Sequence, residues 1–233
     1  YLKEEEQITV SDLLKSIAVA SGNDATAAIA EYIAGSEEAF VVMMNEKAAA
    51  LGMANTTFIN CTGLDDDGTN LTSAYDIALM SRELLKHERI FNYTTIWMDS
   101  IRDGQCGLNN TNKLVRFYSG TNGLKTGSTS KAKFCISATA KREDMQLIAV
   151  IMGAETSAIR NEQAKKLLDY GFANYAVATI ARNEDFEPIP RIGEIVYTVE
   201  GQEVARFQLI AKDGVPRVNF GFLFAAIWKN IMI

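Results

Sequence analysis

The sequence predicts an α+β chain: helices followed by an antiparallel sheet, then a smaller β module and an amphipathic C-terminal segment. Three observations carry this. The N-terminal part holds runs of helical periodicity, each beside a capping residue. After about residue 90, short apolar runs alternate with Gly- and Asn-rich turns. From about Asn183 the texture changes again, with two of the three prolines in "EPIP" and strand-like runs around a Gly turn in "EIVYTVEGQEVARFQLI". The domain division that follows is 1–180 for the main domain, 181–219 for the β module and 220–233 for the terminal segment.

In chain order, "SDLLKSIAVA" offers Ser11 as an N-cap and places Leu13, Leu14, Ile17 and Ala18 on one face. A second helix fits "DATAAIAEYIA", whose small residues permit close packing. A third runs from the cap Ser36 to Leu51 with Gly52 as its stop. A fourth follows Thr72 or Ser73 and carries Ile77, Met80, Leu84 and Leu85. Strands are predicted at "YTTIWM", "KLVRFY", "KFCISATA" and "MQLIAVIMG", and a helix at "AIRNEQAKKLLDYGFANYAV". The last stretch, Phe220 to Ile233, is apolar except at Lys229 and Asn230. It is too short to span a bilayer, which needs about twenty residues, and reads as an interfacial anchor with Trp228 and Lys229 at the headgroups.

Composition excludes several classes. Apolar residues make up 48% and charged residues 22%, ordinary for a globular protein, so these 233 residues can bury a core. A net charge of −6 gives no broad basic surface, which argues against nucleic acid as a partner. Cys61, Cys106 and Cys135 are widely spaced and give neither a disulfide framework nor a metal pattern. The single histidine, His87, reads as a solvated residue near a helix end, and with only one a Ser-His-Asp triad is improbable. No metal or other cofactor is expected. Five Asn-x-Ser/Thr matches, beginning at Asn55, Asn60, Asn70, Asn92 and Asn109, carry no weight because Asn and Thr abound in those turns.

Two stretches bear chemistry. "GLKTGSTSK" contains Lys125-Thr126-Gly127 after a turn and before a strand-like run. An edge strand there offers backbone groups to an extended ligand, a lysine charge, and the hydroxyls of Thr126 and Ser128 for a carboxylate. Gly127 lets a ligand approach the backbone. The same stretch holds two Ser-x-x-Lys matches, Ser128 to Lys131 and Ser130 to Lys133. A serine nucleophile needs its base within hydrogen-bond reach, which that spacing provides on a helix but not on a strand, so both matches are read as decoys. The second stretch is "VASGNDATAA", where Ser21-Gly22-Asn23 lies between two helices and presents a hydroxyl and an amide. Alone, that tripeptide is what an interhelical turn prefers.

Together these residues resemble a known family. Ser-x-x-Lys, a Ser-x-Asn loop and Lys-Thr-Gly on a strand are the motifs of penicillin-binding proteins and serine β-lactamases. The flanks, "ITVSDLLKSIAVASGNDATAAIAEYIAGSEEAF", "TSAYDIALMSREL" and "TNGLKTGSTSKAKFCISATA", are similar to D-alanyl-D-alanine carboxypeptidases of the low-molecular-mass penicillin-binding class. The resemblance runs from Tyr1 to about Ala178 and more loosely beyond. It implies a serine hydrolase that removes the terminal D-Ala from peptidoglycan stem peptides through an acyl-enzyme and is blocked by β-lactams. The implied location is the extracytoplasmic face of a bacterial membrane, attached through 220–233.

Carried over by position, the resemblance implies that Ser21 relays a proton toward the leaving amine and Asn23 holds the substrate amide. Lys125 shapes the site electrostatically, Thr126 and Ser128 grip the terminal carboxylate, and Gly127 sits between them. The Ser128 backbone N–H forms half of an oxyanion hole. Arg160, in "TSAIRNEQAKKLLDYGF", matches an arginine that helps recruit the carboxylate. The family's Ser-x-x-Lys nucleophile lies on a helix well before its Ser-x-Asn loop. Only twenty residues precede Ser21 here, so the nucleophile, its lysine and the first strands are expected in a portion outside this sequence. Residues are also expected to be missing from the β module, which is short for the family. A class A β-lactamase fits poorly, since that class usually has Ser-Asp-Asn. A catalytically inactive stem-peptide or partner-binding fragment is the alternative.

Overall fold

The computed structural model describes residues 2–3, 5–64, 69–177, 193–199 and 202–209. The chain divides into two units, Tyr1–Ala176 and Val177–Ile233. The sequence-predicted anchor at 220–233, and all of 181–219 except the two strands named below, lie outside the described residues. No helix among the described residues is long and apolar enough to cross a membrane.

The first unit opens with α1 (Val10–Ala20), α2 (Asn23–Ala34), α3 (Glu37–Ala50) and α4 (Ala74–Leu84). Ser36 caps α3 by accepting from the Ala39 N–H, and Ser73 caps α4 by accepting from the Asp76 N–H, as expected. The cap of α1 is not Ser11. It is Thr9, whose hydroxyl accepts from the Asp12 N–H at 3.0 Å and starts the helix at Val10. Leu13 of α1 packs on Ala25 and Ile29 of α2, while Val19 packs on Ile101 and Leu108 of the hairpin described next.

That hairpin is β1 (Met98–Ile101) with β2 (Cys106–Asn109). Two predicted strands before and after it are helical instead. A 3-10 turn at Glu88–Ile90 leads into α5 (Phe91–Thr94), so Tyr93 and Thr94 are helical and β1 begins only at Met98. There Thr94 and Thr95 donate their hydroxyls back to the carbonyls of Ile90 and Phe91, bonds to position i−4 that suit a helical turn. Residues 113–118 form α6 (Leu114–Phe117). The Asn112 side chain accepts from the Leu114 N–H, and Leu114 buries itself in the core, so the β-branched and aromatic composition is overridden by tertiary packing. His87 is exposed between α4 and the 3-10 turn, the solvated position expected of it.

The centre is an antiparallel sheet, β3 (Thr121–Thr129), β4 (Lys133–Arg142) and β5 (Met145–Ala154), with β4 in the middle. The last helix of the unit, α7 (Ser157–Asn174), packs against β4 and β5. Ala138, Ala140 and Ala149 from the sheet and Ala164 from the helix are small enough to bring the two layers together, with Ile136, Ile151 and Leu168 filling the space between. Gly171 marks the closest approach, since a Cβ there would meet Leu147 Cδ1 at 2.5 Å. From the other direction α4 reaches β5 and β4, and the buried hydroxyls of Ser81 and Ser137 bond at 2.7 Å. Among the described residues of the second unit, β6 (Gly193–Val199) pairs antiparallel with β7 (Gln202–Leu209).

Leu168 is buried between α7 and the sheet. Replacing it with alanine is expected to destabilise the first unit by about 3 kcal/mol, read as a lower urea midpoint with unchanged slope.

Candidate active site

The helix α1 ends abnormally, and that ending makes the site. Ser21 adopts a left-handed conformation, φ 58° and ψ 45°, where its N–H reaches back to the Ile17 carbonyl and the Gly22 N–H to the Ser16 carbonyl. Helices often stop this way, but usually with glycine, because a side chain in that region costs about 1 kcal/mol. Here the residue in that strained conformation is a serine, and its hydroxyl meets the Lys125 amine. Asn23 follows as the exposed first residue of α2.

The hydroxyl of Ser21 accepts a short hydrogen bond from the Lys125 Nζ, across 104 residues of sequence. Lys125 stands on β3 opposite Ser137 of β4, and its ammonium also donates to the Thr126 carbonyl at 2.7 Å. Burial, and then the positive field of Arg160, hold the Lys125 amine down to about 8. Thr126 is 8% exposed, and its hydroxyl donates to Thr111 Oγ1 at 2.7 Å. Gly127 and Ser128 are exposed, and nothing lies within 4 Å of where a Gly127 Cβ would stand, so the strand is open to close approach.

Arg160 enters from the opposite layer. On α7 it is 4% exposed, donates twice to the Asn161 side chain, and reaches the Cys135 carbonyl at 3.5 Å. Cys135 pairs with Gly127 across the β3–β4 ladder, which places this guanidinium at the level of the Lys-Thr-Gly segment. Burial lowers its pKa, though a guanidinium remains charged. No carboxylate among the described residues forms an ion pair with Arg160 or with Lys125. Among the described residues these two cations at this end of the sheet have no internal anion, an arrangement suited to an anionic ligand. Beside β3 lies a cavity of about 410 Å³ lined by Lys125, Thr126 and Gly127 and by apolar side chains from α3, α4 and β5.

The structure thus brings Ser21, Lys125 and Thr126 together, with Gly127 and Ser128 continuing the same strand and Arg160 acting through its field. The Ser-x-x-Lys matches do not form dyads. Ser128 is on β3, Ser130 and Lys131 are in the turn, and Lys133 on β4 pairs with Glu155. Sequence reasoning missed Thr111. Its only signal was the run "LNNTNK", which reads as a polar turn.

Comparison with known proteins identifies the family. The sequence profile of the D-alanyl-D-alanine carboxypeptidase family covers residues 1–156. DacF of Bacillus subtilis, a D-alanyl-D-alanine carboxypeptidase, is 49% identical over 178 residues, 75% of this chain and 46% of the relative. DacD of Salmonella typhimurium, with the same activity in its name, is 40% identical over 221 residues, 94% of this chain and 56% of the relative. The chain spans about half the length of the curated relatives it matches. Among solved structures, penicillin binding protein 6B from Escherichia coli aligns with a TM-score of 0.76 at 33% identity, covering 91% of this chain and 72% of that one. The ampicillin-bound form of penicillin-binding protein D2 from Listeria monocytogenes aligns with a TM-score of 0.66 at 32% identity, covering 71% and 68%.

The lowered pKa of Lys125 has a signed consequence. The folded amine loses its proton near pH 8 and the unfolded one near 10.5, so between these values the unfolded chain holds more protons. Burying Lys125 therefore costs stability below about pH 8, and the cost is relieved as pH rises toward 10.5. Urea midpoints of the wild type minus those of Lys125→Met are expected to increase across that window.

Proposed function

Because this chain belongs to the D-alanyl-D-alanine carboxypeptidase family, we propose that the whole protein is a serine-type carboxypeptidase that cleaves the terminal D-Ala from peptidoglycan stem pentapeptides. The observation that carries this reading is the Ser21–Lys125 hydrogen bond beside an open Lys-Thr-Gly strand.

The chemistry follows from the charges. The stem peptide ends in a carboxylate, which the Lys125 and Arg160 cations attract and which the hydroxyls of Thr126 and Ser128 can hold by charge-assisted hydrogen bonds. The peptide lies along β3, and the exposed edge at Gly127 accommodates its backbone. Asn23, beside Ser21 at the start of α2, is read as the holder of the substrate amide. A nucleophilic serine attacks the penultimate carbonyl as its hydroxyl proton passes to a base beside it, read as lying with that serine outside these residues, and the Ser128 N–H contributes to holding the resulting oxyanion. Collapse breaks the C–N bond. The departing amine takes its proton from Ser21 Oγ, which is resupplied from Lys125 Nζ, and water then hydrolyses the acyl-enzyme. With both Ser-x-x-Lys matches on a β-hairpin, the acylated serine is read as lying outside these 233 residues.

A β-lactam presents a strained amide and a carboxylate with the spacing of D-Ala-D-Ala, so it would be attacked by the same serine. The ampicillin-bound and cefotaxime-bound states of the Listeria relative support that reading. The apolar sequence of 220–233 with Trp228 and Lys229 supports attachment to a membrane surface, and the substrate supports an extracytoplasmic location.

The test is the intact mass of the whole protein with and without benzylpenicillin, together with D-Ala release from a pentapeptide ending in D-Ala-D-Ala. One drug molecule per chain is expected, on a serine other than Ser128 or Ser130, with D-Ala release abolished in step. Absence of both adduct and release would leave a stem-peptide-binding protein without catalysis.

A further inference from the structure

We propose that Thr111 is a positioning residue that sets the gap between Ser21 and Lys125. It touches the immediate support of each partner. Its backbone N–H donates to the Val19 carbonyl at 3.0 Å, in the last turn of α1 and two residues before Ser21. Its hydroxyl accepts from Thr126 Oγ1 at 2.7 Å, and Thr126 is the residue after Lys125, whose carbonyl receives the lysine's second hydrogen bond. One residue thus links the helix end that carries the serine to the strand that carries the lysine. Among the described residues, no other group makes a hydrogen bond to the Thr126 hydroxyl.

A tie can only position what it joins if it is itself fixed, and Thr111 is flanked by two buried amides that fix it. Asn110 donates its N–H to the Trp97 carbonyl at 2.9 Å and its Nδ2 to the Ile96 carbonyl at 2.6 Å. Asn112, only 1% exposed, donates its N–H to Asn110 Oδ1 at 2.8 Å, accepts the Leu114 N–H on Oδ1, and donates Nδ2 to the Gly123 carbonyl at 3.1 Å. Each of these amides meets partners fixed by the β1–β2 hairpin, α6 or β3. Buried polar groups satisfied in this way hold a single conformation. Thr111 itself is exposed, so it has little core area to lose, and its removal has small general consequences for stability. What its hydroxyl supplies is a second tie between β3 and the end of α1, beside the Ser21–Lys125 bond. A displacement of a fraction of an ångström between Ser21 and Lys125 would misalign proton transfer without emptying the binding site.

The test uses Thr111→Val, which keeps the shape and the backbone bond to Val19 but removes the hydroxyl, beside Thr111→Ser, which keeps the hydroxyl. Thr111→Ala serves in place of valine if valine does not fold. The first readout is the titration of Lys125 in substrate-free protein, followed by NMR with labelled lysine. Loosening β3 from α1 admits water to the ammonium, so its midpoint is expected to rise by about one unit in Thr111→Val, with Thr111→Ser matching the wild type. The second readout rests on the carboxypeptidase reading: kcat for D-Ala release falls about tenfold while KM stays within about twofold, and serine restores it. A folded valine or alanine variant with an unchanged Lys125 midpoint overturns the proposal, as does a serine variant that fails to restore that midpoint. If the protein releases no D-Ala at all, the function is wrong, and the Lys125 midpoint still decides the role of Thr111.

Discussion

A half-buried lysine amine held against a serine hydroxyl is the constraint around which the rest of the first unit is arranged. Lys125 loses hydration where it sits, and Arg160 adds repulsion, so its charge is costly and its amine is brought down to about 8. Each neighbouring element limits that cost or fixes the geometry. The Thr126 carbonyl and Ser21 Oγ accept from the amine. The β3–β4 ladder holds the strand in register, and the end of α1 turns left-handed to aim the hydroxyl. The alanine-rich contact of α7 with the sheet brings Arg160 close enough for its field to be felt.

Much of this was legible in the sequence, and what failed did so for identifiable reasons. The caps Ser36 and Ser73 declared α3 and α4, because a hydroxyl beside a periodic run has one obvious use there. The runs "KFCISATA" and "MQLIAVIMG" became β4 and β5 because each is long, apolar and bounded by turns. "YTTIWM" and "KLVRFY" misled for the opposite reason. They are short, and in so short a run β-branched and aromatic residues say less than the burial of Leu114 or the back-bonding of Thr94 and Thr95. At α1 the reading took Ser11 as the cap, whereas the Thr9 hydroxyl two residues earlier accepts from the Asp12 N–H and starts the helix.

The site divides along the same line. Lys125-Thr126-Gly127 and Ser21-Gly22-Asn23 were visible as motifs, and the absence of a helix expected over 128–133 was enough to set aside the serine–lysine spacings there, which span a β-turn. That Ser21 and Lys125 share a hydrogen bond was not visible, since nothing local in either stretch specifies a partner 104 residues away. Arg160 was singled out only through the resemblance, because by itself it reads as a solvated helix residue, and its burial is what the fold adds. Thr111 was hidden more completely. It lies in a run of polar residues whose amides are buried, and burial of asparagine is a tertiary fact that a polar run does not announce.

The central claim is that Ser21 and Lys125 act as a unit, and a double-mutant cycle tests it most directly. D-Ala release by the whole protein would be measured for Ser21→Ala, Lys125→Met and the pair together. A functional unit predicts that either single change costs about a hundredfold or more in kcat and that the double variant is hardly slower than the worse single. Costs that multiply, leaving the double variant slower by the product of the two, would contradict it. The hydrogen bond between them would then be a structural contact, and the two residues would serve the reaction separately.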